Sequence, residues 1–227
     1  MSFTPLPTTL STILADLHPT RARVVELGSG DGRFTAEIRR TGVSVIGVDR
    51  ALPATGARAS VVGDALSPPV LPGSCDLVLV ANLVRHLLPS RPDPGFLSAW
   101  TDLLVPGGWL FILEDEPTPR PKGAVRYRQL QEFLARVVPR GRGPLIGLGT
   151  FRDILARHRR HEGWIFGGDV NRYALDPEPV VAMLRGADLD PNGQAARLAA
   201  DIERDGLDPG RFWWAAHQRP QPEESRS

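Results

Sequence analysis

The sequence predicts an α/β fold in which a doubly wound, mostly parallel sheet carries helices on both faces. Short apolar and β-branched runs alternate with helical segments over the first half of the chain, which is the pattern of βαβ units. The first run, residues 23–27, leads into a glycine turn and then into a helical pattern from Phe34. The glycines occupy alternate positions, at Gly28, Gly30 and Gly32. A strand, a glycine turn and a helix start in this order are typical of a site where backbone N–H groups face a ligand.

The other elements follow from apolar periodicity and from the prolines and glycines between them. In the first half we predict helices at 8–17, 34–40 and 94–104, and strands at 23–27, 43–49, 59–64, 76–82 and 109–115. In the second half we predict helices at 122–138, 151–160, 177–185 and 193–205, and strands at 164–166 and 211–216. Thr150 is the expected N-cap of helix 151–160. Residues 172–175 are expected to be the return or the continuation of strand 164–166.

Composition indicates an ordinary soluble globular protein. Of the 227 residues, 41% are hydrophobic and 23% are charged, and no apolar run approaches the roughly 18–20 residues that span a bilayer. The N-terminus lacks the pattern of a secretory signal. The single cysteine, Cys75, excludes an internal disulfide and fits a reducing compartment. We therefore expect a cytoplasmic protein, and the dispersed histidines predict no metal site.

Basic residues are concentrated in one segment. All of the 27 basic residues except Lys122 are arginine, which indicates the coding bias of a GC-rich bacterium. Residues 120–160 hold eleven basic and two acidic residues although the net charge of the chain is +1. One interpretation is a patch that attracts an anionic substrate, RNA included. The other, which we favour, is that these arginines pair with the acidic flank at 161–227.

Polar residues follow the predicted strands at their carboxyl ends. In an open α/β sheet ligands bind beyond these ends, so these residues form the candidate site. They are Asp49, Asp64, Asn82, His86, Glu114, Asp115 and Glu116. Asp49 lies about 20 residues past the glycine turn and suits the two hydroxyls of a ribose. A dinucleotide and an adenosine-type cofactor both remain possible at this point.

The spacing of the glycines separates these two cofactors. A dinucleotide turn reads G-x-G-x-x-G/A, and its third small residue would fall on Arg33, which fits poorly against a strand. Glu26 stands two residues before the first glycine. A carboxylate there would repel a pyrophosphate and would suit the ammonium of an amino-acid moiety. The pattern therefore favours a cofactor that is positively charged at this end.

Residues 24–116 resemble the class I S-adenosylmethionine (SAM)-dependent methyltransferases. The resemblance is carried in order by Glu26-Leu27-Gly28-Ser29-Gly30-Asp31-Gly32, Val48-Asp49, Gly63-Asp64-Ala65, residues 76–88 and Leu104-Val105-Pro106-Gly107-Gly108-Trp109-Leu110. It implies a Rossmann-like seven-stranded sheet whose last strand is antiparallel, with 164–175 and 211–216 as the late strands. It also implies one methyltransferase domain over 1–227. Its parts are an N-terminal helix (1–20), a SAM-binding core (21–116), substrate-side helices and late strands (117–210) and a flexible tail (219–227).

The resemblance further implies the cofactor site. The expected SAM-binding residues are Glu26, Gly28, Ser29, Gly30, Gly32, Asp49, Arg50, Asp64, Ala65 and Asn82. Asp49 would hold the ribose, and Asp64 with the backbone N–H that follows it would hold the adenine edge.

The implied activity is transfer of the sulfonium methyl group to a small-molecule acceptor, which the basic segment suggests is anionic. For a hydroxyl acceptor a general base would help. His86 is the first candidate for that base, and Asp115 and Glu116 are the second. Three alternatives stay open: an RNA or protein methyltransferase that uses residues 120–160, a non-catalytic SAM- or S-adenosylhomocysteine (SAH)-binding protein, and a nicotinamide-dependent oxidoreductase.

Overall fold

Seven strands build one sheet in the computed structural model. The strands are β1 (Val24–Leu27), β2 (Val45–Asp49), β3 (Ser60–Val62), β4 (Cys75–Ala81), β5 (Leu104–Asp115), β6 (Trp164–Val170) and β7 (Arg211–Gln218). The structure describes residues 7–18, 21–51, 60–88, 93–117, 122–137, 145–158, 160, 162–170, 177–186, 193–208 and 211–221.

The sheet order is β3-β2-β1-β4-β5-β7-β6. Strands β1 to β5 pair in parallel, and β7 runs antiparallel to both β5 and β6. This arrangement confirms the predicted fold class, including the antiparallel last strand.

The helices of the described residues include the seven that were predicted and one short helix, Val84–Leu87, that was not. They are α1 (Thr8–Asp16), α2 (Arg33–Arg40), α3 (Val84–Leu87), α4 (Phe96–Asp102), α5 (Lys122–Val137), α6 (Leu148–Arg157), α7 (Glu178–Gly186) and α8 (Gln194–Asp205). None of these helices combines the length and the hydropathy that a membrane span requires.

Two apolar clusters cover the two faces of the sheet. One joins alternate residues of the central strands to Trp100, Phe151 and Trp213, and the other joins the remaining alternate residues to Leu10 and Ile38. All four residues of β1 are buried, as expected for an interior parallel strand that is covered on both faces. A third cluster packs α5, α7 and α8 against one another.

The first residues of β5 and α6 differ from the prediction. β5 begins at Leu104 instead of 109, because the strand continues past Gly107, whose φ is +79°. α6 begins at Leu148 and is preceded by Gly147. The prediction that Thr150 caps this helix is therefore wrong, since Thr150 lies in its first turn.

The late strands are confirmed as β6 and β7. β6 extends beyond the predicted residue 166 and continues through Gly167 and Gly168 to Val170. A Cβ atom on Gly167 would lie 2.3 Å from the ring of Trp214, which explains the glycine. The rest of the predicted continuation, at 172–175, lies outside the described residues.

The predicted tail starts with an ordered contact. The backbone N–H of Arg219 donates to the carbonyl of Gly108, and the N–H of Gly107 donates to the carbonyl of Arg219, both at 2.9 Å. These bonds extend the pairing of β7 with β5 by one residue. Residues 222–227 lie outside the described residues.

The strand order reverses between β1 and β4, since β2 and β3 lie on one side of β1 while β4 and β5 lie on the other. In open α/β sheets this reversal opens a crevice at the carboxyl ends of the strands, where ligands bind. The glycine turn after β1 and the segment after β4 meet at this point.

Candidate functional site

The glycine turn after β1 is held against both neighbouring strands. Gly28, Gly30 and Gly32 all have left-handed φ angles, of +73°, +54° and +76°, which only glycine adopts without strain. The N–H of Gly28 donates to the carbonyl of Val48 at 2.7 Å. A Cβ atom on Gly28 would lie 2.9 Å from Cδ2 of Leu83, in the segment after β4. The turn therefore depends on glycine for its backbone and for its packing.

Asp49, at the end of β2, reaches this turn with its carboxylate. The N–H of Gly30 donates to Oδ2 of Asp49 at 2.8 Å, and the N–H of Ala51 donates to Oδ1 at 3.2 Å. An ionised carboxylate accepts about four hydrogen bonds, so lone pairs remain for further donors. Among the described residues, no atom lies within 4 Å of the position that a Cβ on Gly30 would occupy. Gly30 and Asp49 therefore present an open side to a ligand.

Glu26 lies beneath the turn. It is 1% exposed, and the hydroxyl of Thr35 in α2 donates to its Oε2. Burial raises the pKa of Glu26 to about 7, against the opposing effect of the Thr35 hydrogen bond. The carboxyl group of Glu26 therefore faces α2. It would attract the ammonium group of a ligand through its negative charge and not through a direct hydrogen bond.

Ser29 is also buried in the turn. Its Oγ has no hydrogen-bond partner among the described residues, and a Cβ atom on Gly47 would lie 2.7 Å from it. The hydroxyl of Ser29 therefore packs against β2 on the inner side of the turn.

The residues at the end of β3 form a separate group. Asp64 is exposed, and its Oδ1 accepts the N–H of Leu66 at 2.9 Å. Ala65 is buried, and its carbonyl accepts the indole N–H of Trp100 at 2.7 Å. Arg50 is exposed directly after β2. In the described residues, none of the three is hydrogen-bonded to the glycine turn.

Asn82 joins the carboxyl end of β4 to β5 through two hydrogen bonds. Its φ is +53°, and it is the one non-glycine residue of the described ranges with a positive φ, a conformation that asparagine tolerates better than most residues. Its N–H donates to the carbonyl of Leu113 at 2.8 Å, and its Oδ1 accepts the N–H of Asp115 at 3.1 Å. The amide side chain of Asn82 therefore orients the segment that carries Leu83 and His86.

His86 lies in α3, four residues past Asn82, and is half-buried. Its backbone N–H donates to the carbonyl of Leu83 at 2.9 Å. The imidazole thus stands on the same segment that contacts the glycine turn, at the carboxyl edge of β4.

The three acids at the end of β5 each connect to a different helix. Oε1 of Glu114 accepts the N–H of Val84 in α3 at 2.6 Å, and Oδ2 of Asp115 accepts the hydroxyl of Tyr127 in α5 at 2.8 Å. Oε2 of Glu116 accepts the N–H of Leu148 in α6 at 3.3 Å.

Burial raises the pKa of both Glu114 and Asp115. The pKa of Glu114 reaches about 8 although the nearby Arg85 opposes the shift, and Asp115 is raised for the same reason, with Arg85 again opposing. Asp115 is therefore a buried anchor for α5, which makes it a weaker candidate than His86 for a base that meets an acceptor.

These shifts predict that Glu114 makes folding less favourable as pH rises. Between its ordinary pKa of 4.5 and about 8, the unfolded chain releases the proton of Glu114 while the folded chain keeps it, so the free energy of unfolding falls. Glu114→Gln stays neutral at every pH. We expect its stability relative to wild type to rise by a few kcal/mol between pH 4.5 and 8.5, measured by urea unfolding. A difference that does not change with pH would contradict the raised pKa.

The structure brings together most of the predicted cofactor residues. Gly28, Gly30, Asp49 and the segment after Asn82 meet at the reversal of strand order, as the preceding contacts show. Thr35 and Leu83 were not predictable as site residues, because neither belongs to a polar pattern at a strand end. The burial of Arg85 beside Glu114 was not predictable either, because arginine is rarely buried.

Part of the basic segment is neutralised within the chain. Arg126 pairs with Asp201 at 3.0 Å and with Asp205 at 2.6 Å, both in α8. Arg128 pairs with Glu132 at 3.4 Å. The pairs of Arg126 with α8 support the interpretation that these arginines meet the acidic flank. In the described residues no group of three or more histidine, cysteine or acidic side chains is placed to hold a metal.

Solved structures of similar fold include methyltransferases. The YcgJ protein from Bacillus subtilis superposes with a TM-score of 0.61 at 13% identity, covering 93% of this chain and 97% of that one. A SAM-dependent methyltransferase from Archaeoglobus fulgidus gives a TM-score of 0.52 at 18% identity, covering 87% and 86%. These likenesses establish the fold.

Relatives of known function are similar over part of the sequence. A ubiquinone biosynthesis O-methyltransferase of Burkholderia pseudomallei is 32% identical over 119 residues, which are 47% of this chain and 50% of that enzyme. An enzyme of the same name from Xanthomonas axonopodis is 28% identical over 150 residues, covering 60% and 59%. The match therefore spans about half the length of the Burkholderia relative.

The family model described as a methyltransferase domain matches residues 4–158. This stretch contains the glycine turn, Asp49, Asp64, Asn82 and the end of β5. The family expected from the sequence is confirmed: this chain belongs to the methyltransferase domain family.

Proposed function

We propose that this protein transfers a methyl group from SAM to a hydroxyl group of a small molecule. The observation that carries the proposal is the contact of Gly30 with Asp49 at 2.8 Å, beside a side of the turn that no atom of the described residues fills. A carboxylate fixed against a glycine turn suits a ribose diol, because it accepts hydrogen bonds from both hydroxyls while the backbone permits close approach.

The residues of the site fit SAM. Asp49 would accept the ribose hydroxyls, and the open side of Gly30 would admit the amino-acid part of the cofactor. Glu26 beneath the turn supplies negative charge when ionised, which favours the ammonium group. Asp64 and Ala65 at the end of β3 would border the adenine. When bound, SAM would supply a sulfonium methyl group whose carbon the acceptor oxygen attacks in line, so that the C–O bond forms as the C–S bond breaks and SAH leaves with the electron pair on sulfur.

The acceptor enters from the side of β4 and β5. The chain must hold the acceptor in line and exclude water, which supplies much of the rate in such transfers. His86 is the residue that we propose takes the proton of the hydroxyl, since it stands half-buried on the segment after Asn82. Asp115 and Glu116 are already engaged by Tyr127 and by the N–H of Leu148.

His86→Asn tests this role. We expect kcat to fall by roughly 10²-fold or more, the usual contribution of a general base, while the affinity for SAH stays within about twofold of wild type, since the proposed role of His86 is toward the acceptor and not the cofactor. Unchanged kcat would remove His86 from the mechanism. A loss of SAH affinity would show that His86 maintains the turn instead.

The choice of a hydroxyl acceptor rests on the relatives. The Burkholderia and Xanthomonas enzymes are named as O-methyltransferases of ubiquinone biosynthesis, and the family match covers the SAM side of this chain. The ion pairs of Arg126 with α8 reduce the positive charge that an RNA substrate would need.

A methyl-donor assay distinguishes the classes of acceptor. The protein is incubated with methyl-tritiated SAM and with the small-molecule, RNA and protein fractions of a bacterial lysate. We expect label in the small-molecule fraction. Label confined to RNA or protein would contradict the proposal, and SAH binding without label in any fraction would favour a binding protein that has no transferase activity.

A further inference from the structure

Two buried side chains at the carboxyl edge of β4 and β5 have no role in the proposed methyl transfer. Arg85 in α3 is 6% exposed, and its Nε and Nη1 have no hydrogen-bond partner among the described residues. Glu114 at the end of β5 is fully buried, and its Oε2 is likewise unpartnered. Three polar atoms are therefore left unsatisfied in one place.

Such a cluster is unusual because buried polar groups are nearly always hydrogen-bonded. Two buried guanidinium nitrogens without hydrogen-bond partners are unfavourable, since their N–H groups have lost their water and gained no hydrogen bond in exchange. Unsatisfied donors that persist in a fold indicate a group that is supplied from outside it.

The second oxygen of Glu114 is a donor when this side chain is protonated. Oε1 already accepts two backbone N–H groups, from Val84 at 2.6 Å and from Arg85 at 3.4 Å. The proton therefore belongs on Oε2, which is the unpartnered oxygen. Burial raises the pKa of Glu114 to about 8, so this proton is present at neutral pH.

All of the unsatisfied groups are then donors, and a pair of acceptor oxygens satisfies them. The planar fork of a guanidinium matches a carboxylate, which it binds through two parallel N–H bonds. We propose that Arg85 and Glu114 bind a carboxylate group of the methyl acceptor. This inference rests on the proposed function and names the class of its substrate.

The charges that surround the site permit this ligand. Arg85 from α3 and Asp115 from β5 are the charged groups that act on Glu114. Asp115 is turned toward α5, where Tyr127 donates to its Oδ2 at 2.8 Å. The charge of Arg85 also acts on Asp115, and an incoming anion would accept hydrogen bonds from the unpartnered Nε and Nη1 of Arg85.

The test uses the full chain saturated with SAH and a matched set of probes. Benzoate, 4-hydroxybenzoate, 3,4-dihydroxybenzoate and hexanoate are each compared with the corresponding carboxamide by isothermal titration calorimetry at pH 7. We expect at least one carboxylate to bind roughly tenfold or more tightly than its amide, since a charged bidentate pair is replaced by neutral bonds. The absence of any such preference across the set would overturn the inference.

Arg85→Met tests whether Arg85 causes the preference for a carboxylate over its amide. This variant removes the guanidinium and keeps an apolar side chain of similar length, so we expect the preference for a carboxylate to disappear. Arg185→Met is the matched control, because Arg185 is exposed in α7 and pairs only with Glu203 at the surface among the described residues. A preference that survives in Arg85→Met would overturn the inference.

Glu114→Gln tests the role of Glu114 through the pH dependence of carboxylate binding. This dependence would not change if Glu114 only supported the fold. In wild type the affinity for the carboxylate is expected to fall as pH rises through about 8, because ionised Glu114 repels the ligand. The glutamine amide still donates from the same place, so the variant should keep the affinity and lose the pH dependence. Equal pH dependence in both proteins would contradict the role of Glu114.

The affinity for SAH is measured for every protein in the set. A wild-type chain that does not bind SAH would remove the proposed function itself. A chain that binds SAH normally and shows no preference for carboxylates would remove only this inference.

Discussion

Asp49→Ala is expected to weaken SAH binding by about a hundredfold or more, because each hydrogen bond from a hydroxyl to an ionised carboxylate contributes about 1.5–3 kcal/mol. In the structure this carboxylate already accepts the N–H of Gly30 at 2.8 Å and that of Ala51 at 3.2 Å, so it is held in place before a ligand arrives. The measurement is calorimetric titration with SAH at fixed pH.

Asp102→Ala is the control for this change. Asp102 is exposed at the end of α4, just before the amino end of β5 and thus at the opposite edge of the sheet. Its replacement should leave SAH affinity unchanged. Equal affinities for Asp49→Ala and wild type would mean that the ribose is held elsewhere.

Gly30→Ala is expected to abolish measurable SAH binding while the chain still folds. The space beside Gly30 is open, so a methyl group there meets no atom of the described part of the chain within 4 Å. The left-handed φ of +54° adds about 1–2 kcal/mol of strain to the folded state. The methyl group would occupy the space that we assign to the cofactor.

Gly42→Ala separates backbone strain from loss of the site. Gly42 has a φ of +88°, also has open space around it, and follows α2 at the amino end of β2. We expect both variants to lose similar stability in thermal unfolding, and Gly42→Ala alone to bind SAH normally. Normal SAH binding by Gly30→Ala would show that the open side of the turn is not the cofactor site.

Much of the fold was predictable from the sequence because its strands are interior. β1 is buried throughout and the apolar residues of β4 are buried, so both strands are short segments dominated by apolar and β-branched residues, as interior parallel strands are. The glycine turn was predictable for a related reason. Three alternate positions with left-handed φ angles require glycine, because other residue types adopt these angles only with strain.

Boundaries that depend on tertiary contacts were not predictable. The capping pattern favoured Thr150, but α6 begins earlier, where the N–H of Leu148 donates to Glu116. β5 begins before its apolar run because the carbonyl of Gly108 accepts the N–H of Arg219, from the far end of the chain. No pattern in the neighbouring sequence predicts either contact.

Some residues of the candidate site were likewise predictable from the sequence and others were not. Asp49 and Asn82 were predictable, since each stands at the carboxyl end of a strand with recognisable periodicity. The pairing of Arg85 with Glu114 was not, because 29 positions separate them and burial brings them together. Thr35 resembles any other threonine of an amphipathic helix until α2 packs its side chain against Glu26.

The most direct test of the account is calorimetric titration of the full chain with SAM, SAH and NADH. The glycine turn, the reach of Asp49 to Gly30 and the acid beneath the turn all favour the sulfonium cofactor over a pyrophosphate. We expect SAM and SAH to bind at one site per chain, with no heat of binding from NADH. Tight binding of NADH without binding of SAH would contradict the account.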